Sequence, residues 1–214
     1  MNRRLTQRGR ERRRQLMDYA ALRFAEGGYH PTSVAEIVSG IGVGKGVFYW
    51  YFESKEELLV EILRESQLDL RRVQHQAIAD EVDPVRRIEL GMRASMRWLD
   101  THRHLSTITQ FAATEQAFAP TLRERQQVAV DDVVRHVSEA IAQGRIRDQD
   151  PVVLAHAILG VTNQLARTFV LERGADPEEV ANAAVTFCME GLLGGSRLAT
   201  EPKFGHLASV SDAR

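Results

Sequence analysis

Apolar residues recur at three- and four-residue spacing along almost the whole chain, and this constrains the fold more than any other feature. Leu16, Ala20 and Phe24 share one face of a first helix. Val85, Ile88, Met92, Met96 and Leu99 share a face further on, as do Val130, Val133, Val137 and Ile141. The alternating β-branched runs that a half-buried strand needs are scarce. Glycine and proline punctuate the helical stretches. Gly27-Gly28, Gly40 and Gly144 act as stops. Asp83-Pro84, Asp150-Pro151 and Asp176-Pro177 place a proline in the first turn of a helix, where its missing N–H is not needed. The pattern predicts an all-α chain of about nine helices. Three short helices make an N-terminal helix-turn-helix domain over residues 1–53. A larger helical bundle follows over 54–195, joined to it by a long helix that begins after Ser54. Residues 196–214 have no periodicity and read as a flexible tail.

Composition excludes several classes. The 214 residues are 43% hydrophobic and 27% charged, which suits a soluble globular chain. No run of eighteen apolar residues could span a membrane, and Met1-Asn2-Arg3-Arg4 leads into no secretory signal. A cytoplasmic protein with no membrane partner is expected. The one cysteine, Cys188, makes neither an internal disulfide nor a cysteine-rich zinc site, and its neighbours Ala184, Phe187 and Leu192 suggest a buried thiol. His102, His104, His136 and His156 would have to converge with a carboxylate to hold a metal, and they are read as solvated or singly hydrogen-bonded histidines. The glycine-rich run Gly40 to Gly46 lacks the order of a phosphate loop and follows no strand. No metal, cofactor or catalytic residue is expected, and the chain is not read as an enzyme.

The net charge of -1 would argue against a nucleic-acid partner if it were evenly spread. It is not. The first thirty residues carry eight arginines against three carboxylates, five of the arginines lying between Arg8 and Arg14. A basic front end precedes an acidic body, as an arm meeting phosphate would.

The informative stretch is Ser33 to Lys55. Ser33-Val34-Ala35-Glu36 and Ser54-Lys55-Glu56-Glu57 both have the serine-to-glutamate spacing of a capping box. Between them the chain reads as short helix, glycine-bearing turn, short helix, the helix-turn-helix pattern. In the second helix, Phe48 and Phe52 share a face and anchor inward. Lys45, Gly46, Val47, Tyr49 and Tyr51 are left outside. A cation, two phenols and two small groups make poor core but suit a duplex: lysine and tyrosine donate to phosphate or bases, valine can touch a thymine methyl, and glycine permits close approach.

The separated elements Phe24-Ala25-Glu26-Gly27-Gly28-Tyr29, Thr32-Ser33-Val34-Ala35-Glu36-Ile37, Gly42 to Phe52 and Ser54-Lys55-Glu56-Glu57-Leu58 resemble the DNA-binding domain of the TetR family of transcriptional regulators. The resemblance implies an N-terminal operator-reading domain and a divergent C-terminal domain that binds a small molecule and forms a homodimer. It implies phosphate contacts at Thr32, Ser33 and Lys55, base reading at Lys45, Gly46 and Val47, and backbone or base contacts at Tyr49 and Tyr51. Trp50 is placed against the first helix. Two positions depart from the family pattern. Gly44 replaces the usual capping serine, and Gly40-Ile41 replaces a pair of alanines.

In the body, Met92, Met96, Phe111, Glu115, Phe118 and Asn163 are candidates for an effector pocket, being soft, aromatic or polar groups inside helical segments. Ala155, Leu159, Thr162 and Ala166 on the penultimate helix, with Ala184, Phe187 and Gly191 on the last, are candidates for a two-fold interface. The expected function is a ligand-responsive repressor. It would bind a palindromic double-stranded operator as a homodimer and be released by a small, largely apolar effector. A helical protein-interaction module and a TetR-like activator remain open at this point.

Overall fold

The computed structural model describes residues 6–193. Among the described residues there is no strand; nine α-helices run in sequence, with one 3-10 turn and one π-helical segment. They are α1 Gln7–Gly27, α2 Val34–Gly40, α3 Lys45–Tyr51, α4 Lys55–Ile78, α5 Pro84–Thr101, α6 Arg103–Thr114, α7 Ala119–Ala142, α8 Pro151–Leu165 and α9 Pro177–Leu193. The tail expected at 196–214 lies outside the described residues. No described helix is long and apolar enough to cross a membrane.

Local chemistry explains most boundaries. The Thr6 hydroxyl accepts from the Gly9 N–H and starts α1, so Arg8 to Arg14 are helical rather than an extended arm. Ser33 and Ser54 accept from the N–H of Glu36 and Glu57 at 3.1 and 3.0 Å, as N-caps do. Their glutamates depart from the expected boxes. Glu36 turns to Arg23, 2.8 Å away, while Glu57 accepts from the N–H of Glu53, one residue before the cap. Asp150 caps α8 in front of Pro151. The helix that Pro151 opens is α-helical to Leu165 and continues as a π segment over Ala166–Glu172.

The helices group into two units, divided differently from the boundary expected at residue 54. The first comprises the described residues up to Asp69 together with His102–Arg125. Its core takes Leu16, Ala20 and Phe24 from α1, Ile37 from α2, Phe48 and Phe52 from α3, Leu58, Leu59, Ile62 and Leu63 from α4, and Ile108, Ala112 and Phe118. Helix α6 joins this unit because it packs on α1. Arg13 on α1 ties α3 and α4 together, with its guanidinium over the Phe52 ring and paired to Glu61 and Glu65. Arg125 is half-buried and donates to the Leu63 carbonyl and to Ser66 Oγ, and desolvation lowers its pKa to about 10, so it stays charged at neutral pH.

Gly40 has a packing reason. A Cβ there would lie 2.0 Å from Cζ of Tyr19, whose ring rests on the end of α2. Gly42 turns the chain with φ +66°, and the Gly42 and Val43 N–H groups close the helix end on Ser39 and Val38. The departure from paired alanines thus belongs to the seating of Tyr19.

The second unit comprises Leu70–Thr101 and the described residues from Gln126 on. Helix α5 packs on α9, and the π segment packs on α5, α8 and α9. Val85, Ile88, Met92 and Met96 meet Val137 and Ala140 of α7, Ile158 of α8 and a buried face of α9 that includes Val180, Ala184 and Cys188. Burial raises the Cys188 pKa, so the thiol is protonated and inert, as its apolar neighbours suggest.

Candidate functional site

Helix α3 has only seven residues, too few to hold a helix by propensity alone. Its order comes from Phe48 and Phe52, both essentially fully buried and with ring centroids 5.7 Å apart. Gly44 supplies no side-chain cap, in line with the weak cap expected there. With the phenylalanines pointing in, Lys45, Gly46 and Tyr49 are exposed while Val47 and Tyr51 are half-buried. Tyr49 is 58% exposed, and its ring meets the edge of Phe48 at 5.3 Å. Trp50, expected against the first helix, is 61% exposed. A cation and two large aromatic groups therefore stand on the outside of a short helix with a rigid apolar back. Gly46 adds a place where the backbone is open, since a Cβ there would meet nothing within 4 Å.

Two side chains implied as phosphate contacts are turned to other work. Thr32 is buried, and its hydroxyl donates to the Gly28 carbonyl at 2.8 Å, so the hydroxyl does not face a ligand. Lys55 donates to the carbonyls of Tyr29, His30 and Thr32 at 2.8, 3.2 and 2.9 Å. An ammonium has three protons, and all three are used. Lys55 also lies 4.4 Å from the centroid of the Tyr29 ring, and burial lowers its pKa. It closes the connector between α1 and α2 instead of pointing outward. Ser33 is exposed, with its hydroxyl spent on the helix cap.

Lys55→Met keeps the aliphatic stem and removes the cation, leaving three carbonyls to find water. We expect urea denaturation to show a loss of about 1–3 kcal/mol. Unchanged stability with lost DNA binding would return Lys55 to a phosphate role.

The expected effector pocket divides. Phe111, Glu115 and Phe118 belong to the first unit. The Phe111 ring lies tilted against Tyr29 at 5.1 Å and the Phe118 ring meets it edge-on at 5.7 Å, and Glu115 lies 3.0 Å from His30 Nε2. Burial, with Glu56 and Glu115 nearby, raises the Tyr29 pKa and keeps the phenol neutral. Asn163 is exposed, and Met96 is core. Met92 alone of the six lines the cavity of the second unit. The cavity and the open space at its mouth together take in about 600 Å³, part of it bulk solvent. Its walls come from the end of α4 (Gln74, His75, Ile78), from α5 (Arg87, Ile88, Gly91, Met92, Ser95), from α7 (Asp132, Val133, Arg135, His136) and from α8 (Ile158, Leu159, Thr162). The mostly apolar walls suit a small ligand. Sequence reasoning missed the polar members. The available signal was polar residues set into helical apolar stripes, as Ser95 is beside Met92 and Met96.

The interface candidates also divide. Ala155, Thr162, Ala166 and Ala184 are buried within their own unit, and Leu159 and Thr162 line the cavity. A side chain already filling its own core cannot also meet a second chain. Phe187, 67% exposed, and Gly191 remain on the open face of α9, with Ala183 beside them. On α8 the exposed positions are Val152, His156, Ala157, Gly160, Asn163 and Gln164. Among the described residues no cluster of histidine, cysteine and carboxylates could hold a metal.

Known proteins match both parts of the chain. Residues 16–62 match the model for bacterial regulatory proteins of the tetR family, and residues 81–192 match that for the tetracyclin repressor-like C-terminal domain. The chain is 30% identical to the HTH-type transcriptional repressor KstR2 of Mycobacterium tuberculosis over 152 residues, covering 69% of this chain and 76% of that one. It is 25% identical to the HTH-type transcriptional regulator YdgC of Bacillus subtilis, covering 86% of this chain and 94% of the other. The crystal structure of FadR from Bacillus subtilis in complex with stearoyl-CoA has the same fold, with a TM-score of 0.76 at 21% identity over 84% of this chain and 98% of that one. The second family model alone spans over half the chain, the first covers the paired short helices, and the chain belongs to the tetR family of bacterial regulatory proteins.

Proposed function

We propose that the protein is a homodimeric repressor that reads a palindromic operator through α3 and leaves it when a small, largely apolar effector fills the cavity of the second unit. The observation that carries the reading is the division of α3 into a fully buried phenylalanine face and an exposed face of Lys45, Gly46, Tyr49 and Trp50. Lys45, Gly46 and Val47 would meet base edges, Tyr49 and Tyr51 phosphates or bases, and the exposed N-terminal turn of α2 at Ser33 a phosphate. Lys55 and Thr32 would act indirectly, by fixing the connector that carries that turn. The exposed arginines Arg8 and Arg14 on α1 suit the approach to a polyanion.

The name of the KstR2 relative supports repression, and the stearoyl-CoA bound to FadR supports a small-molecule ligand. The dimer would form through the open faces of α8 and α9. Gly160 and Gly191 leave room there for close approach, and Phe187 offers an apolar anchor. Two-fold symmetry would match a palindrome. An effector that prefers a conformation with different head spacing lowers operator affinity by reciprocal linkage.

The test is a gel shift with DNA flanking the protein's own gene and with a genomic pool. We expect a sequence-selective complex weakened by salt, formed by a species that sediments as a dimer. Tyr49→Ala should lower affinity about tenfold, equivalent to ~1.4 kcal/mol, and leave the dimer intact. Absence of any selective complex would refute the regulator reading, and a monomer in both states would refute the dimer.

A further inference from the structure

The cavity of the second unit carries a charge arrangement that its apolar walls do not require. Arg87, Arg135 and Asp132 line it, and Arg71 and Glu139 stand behind them as ion-pair partners. Arg71 donates to both oxygens of Asp132, at 2.6 and 3.1 Å, and Arg135 donates to Asp132 as well. Arg87 reaches Glu139 at 2.8 Å and gives its Nε–H to the Glu81 carbonyl. Both carboxylates are thus engaged, and within this group of five one positive charge is left over. Two of the arginines, Arg87 and Arg135, line the cavity. His136 lies among them. Burial lowers its pKa, Arg87 and Arg135 lower it further, and Glu139 and Asp132 oppose them, so the ring is neutral at neutral pH and offers one N–H and one acceptor. The remaining polar atoms of the wall are largely spent. Ser95 donates to Gly91 and accepts from Gln74, and Thr162 donates to Ile158.

Gly91 is the second observation. It stands in the interior of α5, where glycine weakens a helix relative to alanine. A Cβ there would meet nothing within 4 Å, so packing does not demand it. Its effect is to leave the cavity wall open.

We propose, on the reading that this cavity is the effector site, that its ligand is an organic anion. An apolar body lies against Met92, Ile158 and Leu159 in the space that Gly91 leaves, and a carboxylate or phosphate group meets Arg87 and Arg135. A cation is disfavoured because Asp132 and Glu139 are both held by arginines. A neutral alcohol leaves the surplus charge to water, since the Arg135 side chain is largely exposed.

The experiment is calorimetric titration of the full chain with decanoate, decanoyl-coenzyme A, decan-1-ol and decylammonium. At least one of the two anions is expected to bind about tenfold or more tightly than the alcohol, and decylammonium weakest. The tighter of the two shows whether the charge sits on the acid or on the phosphates of a carrier, and either result supports the proposal. Gly91→Leu is expected to abolish binding. Gly91→Ala, which raises helix propensity, is expected to weaken it. Arg135→Gln should reduce the preference for anions several-fold, and an unchanged preference would overturn the assigned place of the charge. If the alcohol or the ammonium binds as tightly as the anions and Gly91→Leu still blocks it, the anion proposal falls and the effector cavity stands. If no probe binds, or Gly91→Leu changes nothing, the cavity reading fails and the proposal with it.

Discussion

Phe48→Ala is expected to destabilise the first unit by about 3–5 kcal/mol, the range for emptying a fully buried phenylalanine site. The Phe48 ring is completely buried and touches Phe52, and these two residues are the inward anchors of a seven-residue helix that has no side-chain cap. A helix so short has no reserve of its own, so losing one anchor releases the whole of α3. Unfolding monitored by near-ultraviolet absorbance or circular dichroism should show a first transition at much lower denaturant concentration. The second unit has its own core, so its transition should move little. A loss below 1 kcal/mol would mean that α3 is held by something other than its phenylalanine face.

Gly46→Ala is expected to move stability and binding in opposite directions. The residue is in the first turn of α3, in open space, with no positive φ to preserve. Alanine should therefore raise stability by up to about 1 kcal/mol through helix propensity. A fold that needs no glycine there gains nothing from having one. The bare backbone makes sense when a base pair must come within van der Waals reach of it, and a methyl group would stand in that space. Operator affinity is expected to fall about tenfold or more, or ~1.4 kcal/mol, in a gel shift or fluorescence-anisotropy titration. Equal affinity with raised stability would show that α3 does not approach DNA through Gly46.

These two neighbours show what could be read from the sequence and what could not. The inward phenylalanines, the serine caps and the Asp-Pro starts are local signals, set by spacing and by single hydrogen bonds, and the structure places them where the sequence does. The direction of a polar side chain is a different kind of fact. Motif position brings Thr32 and Lys55 to the right neighbourhood, but the carbonyls that hold them belong to a connector whose path depends on Tyr29 packing against Phe111 and Phe118, far along the chain. The pocket candidates fall in two different units for a related reason. Periodicity shows that α6 has an apolar face, not that the face is spent on α1. Ala155 and Ala184 were legible as small residues on helix faces. Which face a helix turns to its own unit is settled by the packing of α5, α8 and α9 together.

The π segment after α8 can be understood as a correction of phase. Ile158, Thr162, Ala166 and Val170, four residues apart, are all buried. A step of four over-rotates an α-helix by about 40°, so three such steps would swing Val170 roughly 120° away from where Ile158 points. The wider turns from Ala166 to Glu172 rotate less per residue and bring Val170 back to the core. The chain uses one extra residue to reset the winding before it reverses into α9. The face of α9 that is buried, and therefore the face left open, depends on that count of residues as much as on the residues of α9 themselves.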